Sequence, residues 1–100
     1  MELRRLFTEH CARPFPPRCR GLEDPVDFVS LDTFTAGCVG TFLENEGTLD
    51  PGRTATLTKC NLELAGVARS LQGEEREYFQ KLADLAGGSL EFLRAHAAGN

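Results

Sequence analysis

Residues 50–73 read DPGRTATLTKCNLELAGVARSLQG, and the spacing of apolar residues within them decides the fold class. Leu57, Cys60, Leu64, Val67, Ala68 and Leu71 recur at intervals of three and four, which places them on one narrow helical stripe of nearly heptad spacing. Asp50 followed by Pro51 reads as an N-cap and a first helical residue, because proline's missing N–H costs nothing where no intrahelical partner exists. Gly73 is the expected stop. Leu62 projects well away from the stripe, so it is expected to be exposed unless another element or a partner covers it.

The same period extends on both sides. Upstream, Leu31, Phe34, Cys38, Val39, Phe42 and Leu43 predict a helix over 31–46 with a broad buried face, capped by Ser30 or Asp32 and ended by Gly47 in a left-handed turn. Downstream, Glu74 and Glu75 suit the positive end of a helix over 74–97 whose apolar positions are Tyr78, Phe79, Leu82, Leu85, Ala86, Leu90 and Leu93. Gly87-Gly88 interrupts it at a cost of about 2 kcal/mol relative to alanines, yet the apolar phase runs on through Leu93. One helix is therefore expected, straight or kinked at the glycines. Leu3, Leu6, Phe7 and Cys11 suggest a short amphipathic helix over 2–12. Between it and the rest, residues 13–27 hold Pro14, Pro16, Pro17 and Pro25 with Gly21, which excludes a helix interior and predicts an extended connection. Period-two alternation and β-branched runs are lacking over more than a few residues. The expectation is all-α: a single domain over 1–100, built as a bundle of three long helices with a short N-terminal helix and a proline-rich connection.

A chain of 100 residues with 41% hydrophobic and 26% charged side chains has the composition of a folded domain and not of a disordered one. No segment approaches the roughly 20 apolar residues that span a bilayer, and the N-terminal residues lack the apolar run of a secretory signal. A cytoplasmic protein that does not bind membranes is expected. The net charge of −4 is segregated: residues 1–20 carry five arginines against two glutamates, residues 21–50 carry seven carboxylates and no lysine or arginine, and residues 51–100 balance at six of each sign. Without a dominant basic face, nucleic-acid binding is not expected.

Catalytic chemistry finds little to work with. The two histidines, His10 and His96, lie near opposite ends of the chain without a nucleophile motif beside either, and both are read as solvated surface residues. Cys38 and Cys60 fall on apolar faces and are read as buried free thiols. Cys11 and Cys19 are separated by seven residues, the wrong spacing for a zinc finger or ribbon, so neither metal nor cofactor is expected; a metal or redox link between them is the least favoured alternative. Gly37-Cys38-Val39-Gly40 lacks the lysine and preceding strand of a phosphate loop, and its glycines are read as thinning one side of the helix for close packing. Arg13-Pro14-Phe15-Pro16-Pro17-Arg18 contains Pro-x-x-Pro, readable as a polyproline ligand or as a stiff linker whose Phe15 packs back on the bundle.

The acidic run remains. Clustered carboxylates without intervening cations serve either as a solvated face or as a docking surface for a basic partner. The expectation is a non-enzymatic protein-interaction module, such as an inhibitor, immunity-type or adaptor protein, that presents Asp24, Asp27, Glu44, Glu46 and Asp50, with Leu62, to a basic protein surface. The competing expectation is a structural bundle that self-associates, as a homodimer for example, through Leu62 and the Gly37/Gly40 face.

Overall fold

A computed structural model describes residues 2–20 and 27–98, so Asp24 lies outside the described residues. Among the described residues four α-helices run in order, α1 (Glu2–Cys11), α2 (Phe28–Glu44), α3 (Pro51–Ser70) and α4 (Gly73–Ala98), with a 3-10 turn at Pro17–Cys19 after α1. The fold is all-α, and no strand occurs among the described residues. α2, α3 and α4 pack against one another, while α1 lies across α4 and α2.

α2 begins earlier than its apolar spacing suggests. The cap is Asp27, whose carboxylate accepts the Ser30 backbone N–H at 3.1 Å and the Ser30 hydroxyl at 3.0 Å, not Ser30 or Asp32. Capping there brings Phe28 into the first turn, where it is buried against Phe79 with ring centroids 5.3 Å apart. The far end follows the expected left-handed exit: Glu46 has φ +54° and Gly47 φ +93°, and the Gly47 N–H reaches back to the Phe42 carbonyl at 2.9 Å. Gly47 is required for a second reason, since a Cβ there would stand 2.5 Å from the Phe92 ring.

Asp50 caps α3 as its pairing with Pro51 predicts, accepting the Arg53 N–H at 3.0 Å. Gly73, however, does not end α3. That helix stops at Ser70, Leu71 turns extended, and Gly73 at φ +62° reverses the chain and opens α4. Arg76 locks the reversal: its guanidinium donates to the Ala68 and Arg69 carbonyls, both at 3.0 Å, satisfying acceptors that the end of α3 leaves without intrahelical partners. So short a connection makes α3 and α4 antiparallel neighbours.

The core is built from Phe28, Val39, Phe42, Leu57, Leu64, Phe79, Leu82 and Leu85, all with less than 2% exposure or close to it. One residue of the expected α2 face is misplaced by its spacing. Phe34 is 59% exposed, and Thr35 is fully buried in its stead. At 100° per residue, Thr35 sits at the centre of the arc spanned by Leu31, Cys38, Val39 and Phe42, and Phe34 sits about a quarter turn off it.

α4 continues unbroken through Gly87-Gly88. The phase of Leu82, Leu85 and Leu90 keeps one face on the core throughout, and Gly88 has a packing role. A Cβ at Gly88 would come within 2.8 Å of Leu3 in α1, and one at Gly40 within 3.4 Å of Phe7. Bare backbone on α4 and α2 is what lets α1 settle between them. The proline-rich segment is anchored by Phe15, edge-on to Tyr78 and Phe79 at 5.7 and 6.0 Å, with Pro16 and Cys19 buried beside it.

Candidate interaction surface

The acidic residues do not form one patch. α2 carries Asp27 at its start and Glu44 at its end, separated by 17 residues of helix or about 25 Å at 1.5 Å per residue. Asp27 is spent on capping, and its hydrogen bonds from Ser30 hold the carboxyl below its ordinary range. Asp32 is directed inward, accepting the Tyr78 hydroxyl at 2.8 Å. What the fold does gather is Glu44, Glu46 and Asp50, all exposed, at the turn between α2 and α3. Asp50 is partly neutralised by Arg53, whose guanidinium lies 2.7 Å away and, with the Arg53 N–H, lowers the Asp50 carboxyl.

This acidic turn abuts an apolar groove of about 750 Å³ between α3 and α4, lined by Leu49, Pro51, Ala55, Leu62, Leu90 and Leu93, with Arg94 at its edge. Leu49 and Pro51 flank Asp50 directly in the chain. The groove forms because Leu90 and Leu93 lie only half-buried where α4 runs past the small residues Thr54, Ala55 and Thr58 of α3. Leu62 stands on it 71% exposed, as its position off the α3 stripe predicts. On the other flank of α3, a second groove of about 320 Å³ against α2 is lined by Asp27, Phe34, Thr56, Lys59, Cys60 and Glu63. Comparison with protein-family models, with curated proteins and with solved structures finds no match for this chain. The functional reading therefore stands on this geometry.

The sequence reading misplaced one titratable residue. His10 is 3% exposed, not solvated, packed 4.5 Å from the Tyr78 ring with Nε2 3.7 Å from Asp32 Oδ1. That distance is too long for a hydrogen bond, and neither ring nitrogen has a partner among the described residues. The signal was present: His10 lies four residues after Leu6 and seven after Leu3, on the face α1 turns inward. His10, Asp32 and Tyr78 together have the composition of an acid–base group, and both imidazole nitrogens are sealed from solvent. Burial, the Asp32 hydrogen bond and the Asp32 charge push the Tyr78 hydroxyl well above its ordinary value, so it serves as a donor. His96 is exposed, stacked on Phe92 at 3.8 Å.

Cys11 is exposed and Cys19 buried, and all four cysteines are free thiols. Among the described residues no three His, Cys, Asp or Glu side chains are placed to hold a metal ion. The Pro-x-x-Pro segment turns Phe15 and Pro16 inward, leaving Pro14, Pro17 and Arg18 over a polar cleft of about 580 Å³ in which Arg18 lies 3.8 Å from Glu75. No helix among the described residues is long and apolar enough to cross a membrane.

Proposed function

We propose that the chain is a non-enzymatic protein-interaction module that receives a basic partner segment at the α2–α3 turn. The observation that carries this reading is the meeting of exposed Glu44, Glu46 and Asp50 with the Leu49/Pro51 end of the α3–α4 groove. An apolar concavity with three carboxylates gathered at one end and Arg94 on its edge matches how interfaces divide their labour: buried apolar area supplies affinity, and rim charges supply encounter rate and choice of partner. Asp27 stands at the other end of α2 from this cluster, and Asp24 lies outside the described residues.

The test is affinity capture from the native host lysate at low and high salt, using the chain and two neutralised variants. Glu44→Gln, Glu46→Gln and Asp50→Asn together remove three charges while asparagine preserves the α3 cap. Glu2→Gln, Glu9→Gln and Glu74→Gln remove three elsewhere. A stoichiometric partner that is salt-sensitive, lost with the first set and retained with the second is the expected result. Equal loss with both sets, or retention with both, contradicts the reading.

A further inference from the structure

The outer face of α3 carries features that the acidic turn does not explain. Opposite its buried stripe, Ala55, Lys59, Leu62 and Gly66 share one side and are all exposed. The grooves on its two flanks place Leu62, 71% exposed, on the α4 side and Phe34, 59% exposed, on the α2 side, so two large apolar side chains frame the same helix. Among the described residues nothing calls for glycine at 66: a Cβ there would meet no atom within 4 Å, yet glycine costs a helix interior its propensity. Lys59 and Glu63, one turn apart on the α2-side edge, form no ion pair among the described residues.

We infer that this face pairs with the same face of a second copy, α3 against α3 in antiparallel array. A two-fold axis perpendicular to both helices keeps each edge of the face on its own side and reverses it end to end. With the axis at the level of Asn61, Lys59 stands opposite Glu63 of the second copy and Glu63 opposite its Lys59, giving two reciprocal ion pairs. Leu62 then packs against Leu62 and Thr58 of the second copy, and the lack of bulk at Ala55 and Gly66 admits the roughly 8–10 Å axial separation of packed helices. The self-complementary charge order selects a second copy over an unrelated apolar partner: one edge presents both signs at the spacing that its own reversal satisfies. The acidic turns lie about 16 Å from the axis along each helix and stay outside the paired face; Ala55, Thr58 and Leu62 also line the α3–α4 groove, so the pairing covers that part of it and leaves the Leu49/Pro51 end to a basic partner.

Light scattering and sedimentation on the purified chain test the pairing with no other component present. A concentration-dependent mass rising toward twice 11.0 kDa is expected. Lys59→Glu and Glu63→Lys, each alone, set like charges opposite one another and should weaken dimerisation at least about tenfold. An equimolar mixture of the two should recover it, because each then supplies the charge the other needs. Leu62→Lys should leave a folded monomer by circular dichroism. A mass that stays at the single chain up to about 1 mM, single variants that pair as well as the parent, or a mixture that fails to recover each overturns the inference.

Discussion

His10 shows at the scale of a single residue how burial can override chemical type. α1 turns Leu3, Leu6, Phe7 and His10 toward α4 and α2, and the imidazole fills its place as a flat ring against Tyr78. Its two nitrogens lose water and gain no partner among the described residues, while the neighbouring Asp32 oxygen is already engaged by the Tyr78 hydroxyl at 2.8 Å. An unsatisfied buried polar atom costs about 1–3 kcal/mol, and replacing it with an apolar group of similar shape removes that cost. His10→Leu is therefore expected to stabilise the chain by about 1–2 kcal/mol, read as a higher urea midpoint at pH 8. A fall in the midpoint would mean that the imidazole makes a favourable interaction with Asp32 after all. Sequence reasoning placed this residue at the surface because no nucleophile motif stands beside it. Its position in the α1 phase, not its type, decides the outcome.

The glycine pair of α4 separates two effects at the scale of a helix. Gly87 and Gly88 are adjacent in the same helix, so the loss of helix propensity is alike for both, about 1 kcal/mol each. Their surroundings differ: the nearest atom to a Cβ at 87 is Asn61 Oδ1 at 3.8 Å, whereas one at 88 would press on Leu3 at 2.8 Å. Gly87→Ala is expected to raise stability by up to about 1 kcal/mol, and Gly88→Ala to gain clearly less because α1 must shift. Thermal melts of the two variants measure the difference, and equal gains would show that Leu3 yields without cost. Such packing is what a one-dimensional pattern cannot hold. The stripe from Leu57 to Ala68, the Asp50-Pro51 start and the Gly47 exit were legible because each depends on residues within a few positions. The α2 start was not: Asp27 and Phe28 sit at the edge of the proline-rich segment, and the buried contact of Phe28 with Phe79 acts with the Asp27 cap to draw the helix back to them. Phe34 was misread because apolar type was counted without its angle. Of the expected contact set, the exposure of Leu62 was legible from its angle off the stripe. The separation of Asp27 from Glu44 was not, because a run of charges in sequence becomes two ends of a helix in space.

For the whole molecule, the cysteines report how firmly each part is held. The 26-residue α4, about 39 Å long at 1.5 Å per residue, matches the 43 Å long axis, and every other described element leans on it or on the α2–α3 pair. Cys38 and Cys60 lie inside that three-helix unit on α2 and α3, Cys19 lies under the proline-rich strap, and Cys11 stands exposed at the end of α1. Among the described residues the strap is held by Phe15 against Tyr78 and Phe79, Arg20 over Phe15 at 5.4 Å, the buried Pro16 and Cys19, and the ion pairs Arg13–Glu77 and Arg18–Glu75, each contributing at most about 1 kcal/mol. Segments held by few buried contacts open locally at lower free energy than the whole molecule unfolds. Native thiols should therefore react with an aromatic disulfide reagent in three stages. Cys11 reacts first, slowed because partial burial and the nearby Asp32 raise its thiol above the ordinary range. Cys19 follows through release of the strap, at a rate that Phe15→Ala accelerates. Cys38 and Cys60 react last and together, at the rate of global opening, and should not respond to Phe15→Ala beyond its effect on overall stability. If Cys19 instead keeps pace with Cys38 and Cys60 in both proteins, the strap belongs to the same cooperative unit as the bundle. The loss of Phe15 would then be felt equally by all three buried thiols, because removing one anchor would weaken a core that opens only as a whole.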